Sequence, residues 1–332
     1  MKSLLKKVRW GIIGCGNVTE VKSGPAFNKI ANSELVAVMR RNGELARDYA
    51  ERHDVPKWYD DAEKLIRDSE VDAIYIATPP AFHKEYTIKA AAAGKPVYVE
   101  KPMALNHEEC REMIQACEMA EVPLYVAYYR RALPRFLKLK EIIDSGVLGD
   151  IRFVTTRHFR ASGEDVDPFN IPWRFQPDLS GGGLFFDVAS HTLDILDFLL
   201  GPIKEAKGFA SNHSGNYKVE DIVTATYLFE SGAHGTGTWC FSACENVDVN
   251  EIVGSKGKVT FSTFGDGPIQ MISAQGNEQW AIENPVHIQQ PLIETIVGDL
   301  LGTGECQSVG KTAARTNWVM DELVKEYYAK IE

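Results

Sequence analysis

The chain has 332 residues, of which 44% are hydrophobic and 25% charged, and a formal net charge of -10. That length exceeds what one hydrophobic core usually supports, so two domains of an ordinary globular protein are expected. The acidic balance argues against a nucleic-acid partner, which needs clustered Lys and Arg to displace counterions, and leaves small-molecule chemistry as the expectation.

The opening MKSLLKKVRW has no long apolar core of a secretory signal, and no apolar run approaches the roughly 18 residues of a membrane span. The cysteines (Cys15, Cys110, Cys117, Cys240, Cys244, Cys306) include no CxxC pair. A cytoplasmic protein with reduced packing thiols, no membrane association and no metal site is expected.

From residue 8 to about 129, short β-rich runs alternate with helical patterns, the signature of βαβ units and a parallel sheet. Strands are expected at VRWGIIG (8–14), ELVAVM (34–39), VDAIYIAT (71–78), PVYVEK (96–101) and PLYVAYY (123–129). Their near-continuous apolarity suits strands covered on both faces. The first ends in GCGNVT, where Gly14 and Gly16 form a GxG turn leading to Asn17 and Val18. In that context the turn points to dinucleotide binding, with backbone N–H groups meeting a pyrophosphate. Thr19 stands where the fingerprint prefers Gly or Ala and implies slightly looser helix packing.

An Asp or Glu at the end of the second strand would hold the ribose 2′-hydroxyl of NAD; here the strand ends in Arg40 and Arg41. A guanidinium fork matches a 2′-phosphate, so NADP is favoured, with NAD still compatible if one arginine is solvated or stacks on adenine. ATPPAFH (77–83) follows the next strand at the carboxyl edge of the sheet and places Thr78 and Pro79 against a cofactor. His83 reads equally as a helix-start residue or a cofactor neighbour. In VEKPMA (99–104) a strand ends directly in Glu100, Lys101 and Pro102, which pins a cation where a buried strand reaches the surface. YYRR (128–131) puts Arg130 at the end of the last parallel strand, beside Tyr128.

Beyond about residue 130 the helix PRFLKLKEIIDSG is followed by alternating runs at 149–160, 203–212, 219–231, 234–243 and 258–263, the pattern of an open antiparallel sheet. TATYLFE (224–230) and GTGTWCFSA carry large apolar residues that a lone sheet would leave wet, so a second subunit is expected on one face. In GGGLFFDVASHTLD, Asp187, His191 and Asp194 are spaced by four and three and share one helical face. A histidine bracketed by acids is the arrangement that tunes a proton-transfer group, the alternative being a salt-bridged helix face. Gly183, on the same face, has no side chain to block a ligand. The long loop 159–183 has the length of a substrate gate, with Trp173 and Arg174 as pocket walls. A final helix is expected over about 311–331.

Taken in order, GCGN, ATPPAFH, EKP, YYRR and GGGLFFDVASH resemble the Gfo/Idh/MocA family, relatives of glucose-fructose oxidoreductase and inositol dehydrogenase, over essentially the whole chain. The resemblance implies an α/β N-terminal Rossmann domain with a doubly wound parallel sheet (1–127). A substrate-binding and oligomerising α+β domain with an open, mostly antiparallel sheet would follow (128–332), its last helix packing back on the first domain. It implies that Lys101 sits beside the nicotinamide and polarises the substrate oxygen, that Asp187 holds substrate hydroxyls, and that His191 exchanges the proton. Gly14, Gly16, Asn17, Val18, Arg40, Arg41, Thr78, Pro79, His83, Glu100, Lys101 and Arg130 are the expected cofactor contacts; Tyr128, Trp173, Arg174 and Asp187 are the expected substrate contacts. The expected activity is NADP-preferring hydride transfer between nicotinamide and a secondary alcohol or ketone of a sugar, anhydrosugar, inositol or related diol, in a homodimer or homotetramer. A nucleotide-dependent glycosidase and a non-catalytic sugar or cofactor sensor are the alternatives found among relatives.

Overall fold

The computed structural model describes residues 6–161 and 170–330. It divides the chain into two compact units, Met1–Leu133 with Pro285–Ala314, and Pro134–Asn284 with Arg315–Glu332. Within the helix Gly310–Tyr328, residues up to 314 therefore group with the first unit and the rest with the second. No helix among the described residues is long and apolar enough to cross a membrane.

The first unit is built on a parallel sheet of β1 (Val8–Ile13), β2 (Ser33–Met39), β3 (Lys57–Tyr59), β4 (Ala73–Ile76), β5 (Val97–Val99) and β6 (Leu124–Val126). The order β3-β2-β1-β4-β5-β6 reverses direction between β1 and β4, where open parallel sheets place their ligand crevice. β4, β5 and β6 are buried at every position, as their apolar runs require of strands covered on both faces. β6 stops three residues short of the apolar run in the sequence. The Tyr128 N–H turns back to the Val126 carbonyl at 2.8 Å and Tyr129–Ala132 forms a 3-10 turn, so Arg130 lies in a turn and not in a strand.

The second unit carries β7 (Ile151–Ala161), β8 (Ile203–Ser211), β9 (Ile222–Phe229), β10 (His234–Ala243), β11 (Val247–Gly254), β12 (Gly257–Phe261), β13 (Ile269–Ser273) and β14 (Gly276–Trp280). They form one sheet in the order β14-β13-β12-β11-β7-β10-β9-β8, antiparallel except where β7 meets β10. Its inner face packs on the helix Leu184–Leu200, with the Phe185 ring edge-on to Trp239 at 5.3 Å. The far end of that helix is tied down by Arg315, whose guanidinium makes two 2.7 Å hydrogen bonds to the buried Asp197 carboxylate.

The expectation that TATYLFE and GTGTWCFSA leave large side chains wet is corrected by the register. Tyr227, Phe229, Trp239 and Phe241 are all buried, and the exposed positions of these strands are Thr224, Thr226, His234 and Thr236. The large apolar residues that stay exposed elsewhere in the sheet are Phe209 (80%), Ile272 (49%) and Phe153 (40%).

Candidate active site

The GCGN turn owes its shape to two glycines that serve different ends. Gly14 has φ +92°, and a Cβ there would lie 2.8 Å from Thr78 Cγ2 and 3.0 Å from the Ala77 carbonyl carbon, so only glycine lets the first loop lie against the ATPP loop. A Cβ at Gly16 would find no atom nearer than 3.8 Å. Gly16 opens the helix Asn17–Val21 without a side-chain cap, and its bare edge suits a phosphate oxygen. Asn17 is exposed and Val18 half-buried. Beside them the Thr78 hydroxyl is buried without a hydrogen-bond partner among the described residues, and Pro79 is half-buried. These features fit a dinucleotide.

Thr19 does not loosen the packing. Its hydroxyl donates to the Gly16 carbonyl at 2.8 Å and its carbonyl accepts from the Tyr49 hydroxyl at 2.8 Å. The close approach that the fingerprint's third glycine normally provides has moved to Gly24, where a Cβ would sit 2.2 Å from the Thr19 oxygen.

At the end of β2 no carboxylate replaces the two arginines. Arg40 is exposed and makes no ion pair among the described residues, while the Arg41 guanidinium stacks 5.1 Å above the Phe82 ring. Asn42 is occupied as a helix cap, accepting from the Glu44 and Leu45 N–H groups.

Lys101, half-buried, follows a glutamate that is deeply engaged. The Glu100 carboxylate is 7% exposed and accepts from the Tyr75 hydroxyl (2.6 Å), from Gln289 Nε2 (2.7 Å) and from the Lys101 N–H (3.1 Å). Gln289 in turn accepts from the Tyr98 hydroxyl at 2.6 Å. Three donors satisfy a carboxylate that burial alone would strongly disfavour, and one of them is the backbone of Lys101 itself. The Lys101–Pro102 bond is cis. His83 is both a helix start and fully buried: Nε2 lies 2.8 Å from the Thr78 carbonyl, and Nδ1 lies 3.1 Å and 3.2 Å from those of Pro102 and Met103. Burial lowers its pKa against the pull of these carbonyls. His83 thus clips the ATPP loop to the segment that follows Lys101. Arg130 is 5% exposed with its guanidinium 4.9 Å over the Tyr129 ring, and Tyr128 is fully buried in the apolar cluster that also holds residues of β4, β5 and β6.

In the second unit the helix Leu184–Leu200 carries the half-buried Asp187 in its first turn and the buried His191 one turn on. Asp187 Oδ2 accepts from Arg174 Nε at 3.1 Å, and the Arg174 guanidinium stacks 4.4 Å over Trp173, so these three expected substrate residues form one cluster. Residues 162–169 of the expected gating loop lie outside the described residues. The His191 ring meets Phe264 edge-on at 5.7 Å. Phe264 is held by its N–H to Asp248 Oδ2 (2.6 Å), and the same carboxylate accepts from Thr263 (3.0 Å) and Gly265 (3.0 Å). Burial alone would raise the Asp248 carboxyl, but His158 and these N–H donors outweigh it and hold it below the usual range. Asp248 and Phe264 carry no motif that sequence reading could find. Gly183 is also corrected: its missing side chain makes room for Glu220, whose carbonyl and carboxylate oxygens would lie 2.6 Å and 3.0 Å from a Cβ, and not for a ligand.

A family model for an oxidoreductase family with an NAD-binding Rossmann fold matches residues 8–128, and one for the GFO/IDH/MocA C-terminal domain matches 136–260. The chain is 40% identical to Oxidoreductase P35 of Formosa agariphila over 320 residues, covering 95% of this chain and 98% of that protein. This chain belongs to the Gfo/Idh/MocA family. It is an NAD(P)-binding oxidoreductase, a dehydrogenase or reductase acting on a CH–OH group. Within the family it is 28% identical to the 1,5-anhydro-D-fructose reductase of Ensifer adhaerens over 311 residues, 91% of each chain. The crystal structure of aldose-aldose oxidoreductase from Caulobacter crescentus complexed with glycerol superimposes with a TM-score of 0.85 at 25% identity, covering 98% of both chains.

Proposed function

We propose that this Gfo/Idh/MocA enzyme interconverts a secondary alcohol and its ketone in a sugar, anhydrosugar, inositol or related diol, with NADP(H) as the preferred cofactor and Lys101, Asp187 and His191 as catalytic residues. The reading is carried by the helix Leu184–Leu200, which sets a half-buried carboxylate already able to hold a donor one turn ahead of a buried imidazole. That pair suits recognition of a hydroxyl and exchange of its proton.

The nicotinamide, when bound, supplies or accepts the hydride. Gly14, Gly16, Asn17 and Val18 hold the pyrophosphate, Thr78 and Pro79 lie against the cofactor, and Arg40 takes the 2′-phosphate while Arg41 stays on Phe82. Lys101 polarises the carbonyl oxygen as negative charge develops there, His191 delivers or removes the proton, and Asp187 with Arg174 holds neighbouring hydroxyls. Glu100 and His83 act through the backbone around Lys101. The similarity to a 1,5-anhydro-D-fructose reductase supports an anhydro-ketose among the candidate substrates.

The test is a panel of 1,5-anhydro-D-fructose, inososes, aldoses and vicinal diols, run in both directions with NADP(H) and NAD(H). Turnover of at least one is expected, with NADPH bound more tightly than NADH and that preference eroded by about 1–3 kcal/mol in Arg40→Ala, the range of a charged hydrogen bond. Wild-type binding of NADH as tight as NADPH would overturn the cofactor assignment, and no turnover of any compound the chemistry. We infer further that the exposed face bearing Phe209, Phe153 and Ile272 joins a second copy of the chain. Light scattering should report a dimer or tetramer at micromolar concentration, and a strict monomer contradicts it.

A further inference from the structure

We propose that Glu220 is a positioning residue for this reaction, fastening the start of the helix that carries Asp187 and His191 to the segment leading into β9. The proposal rests on the assignment of those two residues given above.

Helix starts leave N–H groups without partners, and the usual remedy is local: a Ser, Thr, Asp or Asn at the cap and a glutamate three residues on that reaches back to the cap's own N–H. Here neither is present. The cap residue is Gly183, with no side-chain cap, and the third helical residue is Phe186. The part of that missing glutamate is taken by Glu220, which is 37 residues away in sequence: its Oε1 accepts from the Gly183 N–H at 2.9 Å. Its other oxygen accepts from the Tyr328 hydroxyl of the last helix. The fit is close enough that no residue but glycine is accommodated at 183, since a Cβ would lie 2.6 Å from the Glu220 carbonyl oxygen. A local cap would fix the helix only to itself; this one fixes its first turn, and Asp187 with it, to the start of β9 and to the last helix.

Placing a carboxyl there is costly. Glu220 is 1% exposed, and burial raises its pKa to about 7 against the lowering effects of Tyr328, its own N–H and the Gly183 N–H. Asp221, itself fully buried and bonded to the His213 and Ser214 N–H groups, adds to the rise. The other titratable groups facing Glu220 are the phenols of Tyr217, Tyr327 and Tyr328, all of them shifted upward by burial first, with Glu220 adding to the rise, and neutral near pH 7. Because the folded-state pKa lies above the usual 4.5, the folded protein holds more protons than the unfolded chain between about 4.5 and 7, and stability falls as pH rises through that window. The ionised carboxylate is nonetheless the stronger acceptor for the Gly183 N–H and the better charge at a helix start.

Amide exchange followed by mass spectrometry, melting temperature against pH, and turnover of the substrate found by the panel test the proposal together. Glu220→Ala should speed exchange of amides 183–187 by about tenfold, the size of a lost cap, and lower turnover with little change in NADPH affinity. Glu220→Gln, which keeps an acceptor for the Gly183 N–H, should restore slow exchange and most of the turnover, while flattening both the pH limb of turnover near 7 and the fall in melting temperature between pH 4.5 and 7. Should Glu220→Ala not fold, Tyr328→Phe is read in its place, with a smaller increase in exchange. Unchanged exchange in Glu220→Ala or Tyr328→Phe overturns the proposal, as does a Gln variant no better than Ala. If instead His191→Ala keeps wild-type turnover, the assignment of the helix fails while the exchange result for Glu220 stands.

Discussion

Two buried glutamates stand behind the two groups of residues proposed to be catalytic, and they are held differently. Glu100, beside Lys101, receives three donors, two of them side chains from β4 and from the segment 285–314 that returns to the first unit. Glu220, behind Asp187 and His191, is bonded by the Tyr328 hydroxyl, its own N–H and the Gly183 N–H, yet burial pushes its pKa up to about 7. The first is a bonded network whose removal leaves buried polar groups stranded; in the second, burial outweighs the donors and raises the pKa. A buried carboxylate thus positions a neighbour in either case, and at Glu220 burial outweighs the donors given to it.

The largest expected effects fall on the residues these anchors hold. Lys101→Met and His191→Ala should each lower turnover by about 10²–10⁴, the range of a single electrostatic or acid–base group, with NADPH binding nearly unchanged, because the proposed role of each lies mainly in the transition state. Asp187→Ala should instead raise KM, since its proposed role is to hold hydroxyls; steady-state kinetics on the three variants separates the roles, and an unchanged KM in Asp187→Ala removes that role. A smaller effect should follow from breaking the first anchor at its far end. Gln289→Leu deprives Glu100 of a donor and leaves the Tyr98 hydroxyl without its acceptor, so denaturant unfolding should show a loss of about 1–3 kcal/mol. Turnover should fall with it, through Lys101. Wild-type stability in that variant would show that the network does not hold Glu100.

Much of the fold was legible because burial on both faces writes a near-continuous apolar run: β4, β5 and β6 are apolar and buried throughout, and β1 and β2 depart from apolarity only at Arg9, Ser33 and Glu34. Others were hidden for identifiable reasons. β3 is three residues long and nowhere fully buried, too short for a period to show. β14 is an edge strand with the polar sequence GNEQW. β11 interrupts its own alternation with Asn250, a buried polar residue satisfied by Thr156 and Thr263. At the candidate site, the side chains proposed to meet chemistry were marked by motif and spacing, whereas their supports were not. Gln289 lies 189 residues from Glu100 and Glu220 lies 37 from Gly183, so neither pairing leaves a local pattern. The same distance explains the misreading of Gly183, whose missing side chain answers to a residue that only the fold brings near.

The central claim is that Lys101 and His191 serve one substrate oxygen, and a double-mutant cycle on turnover tests it most directly. With wild type, Lys101→Met, His191→Ala and the double variant assayed on the same substrate, groups that act on one oxygen are strongly non-additive, so the double variant should lose clearly less than the product of the two single losses. A double variant whose loss equals that product would show two independent contributions and contradict the account.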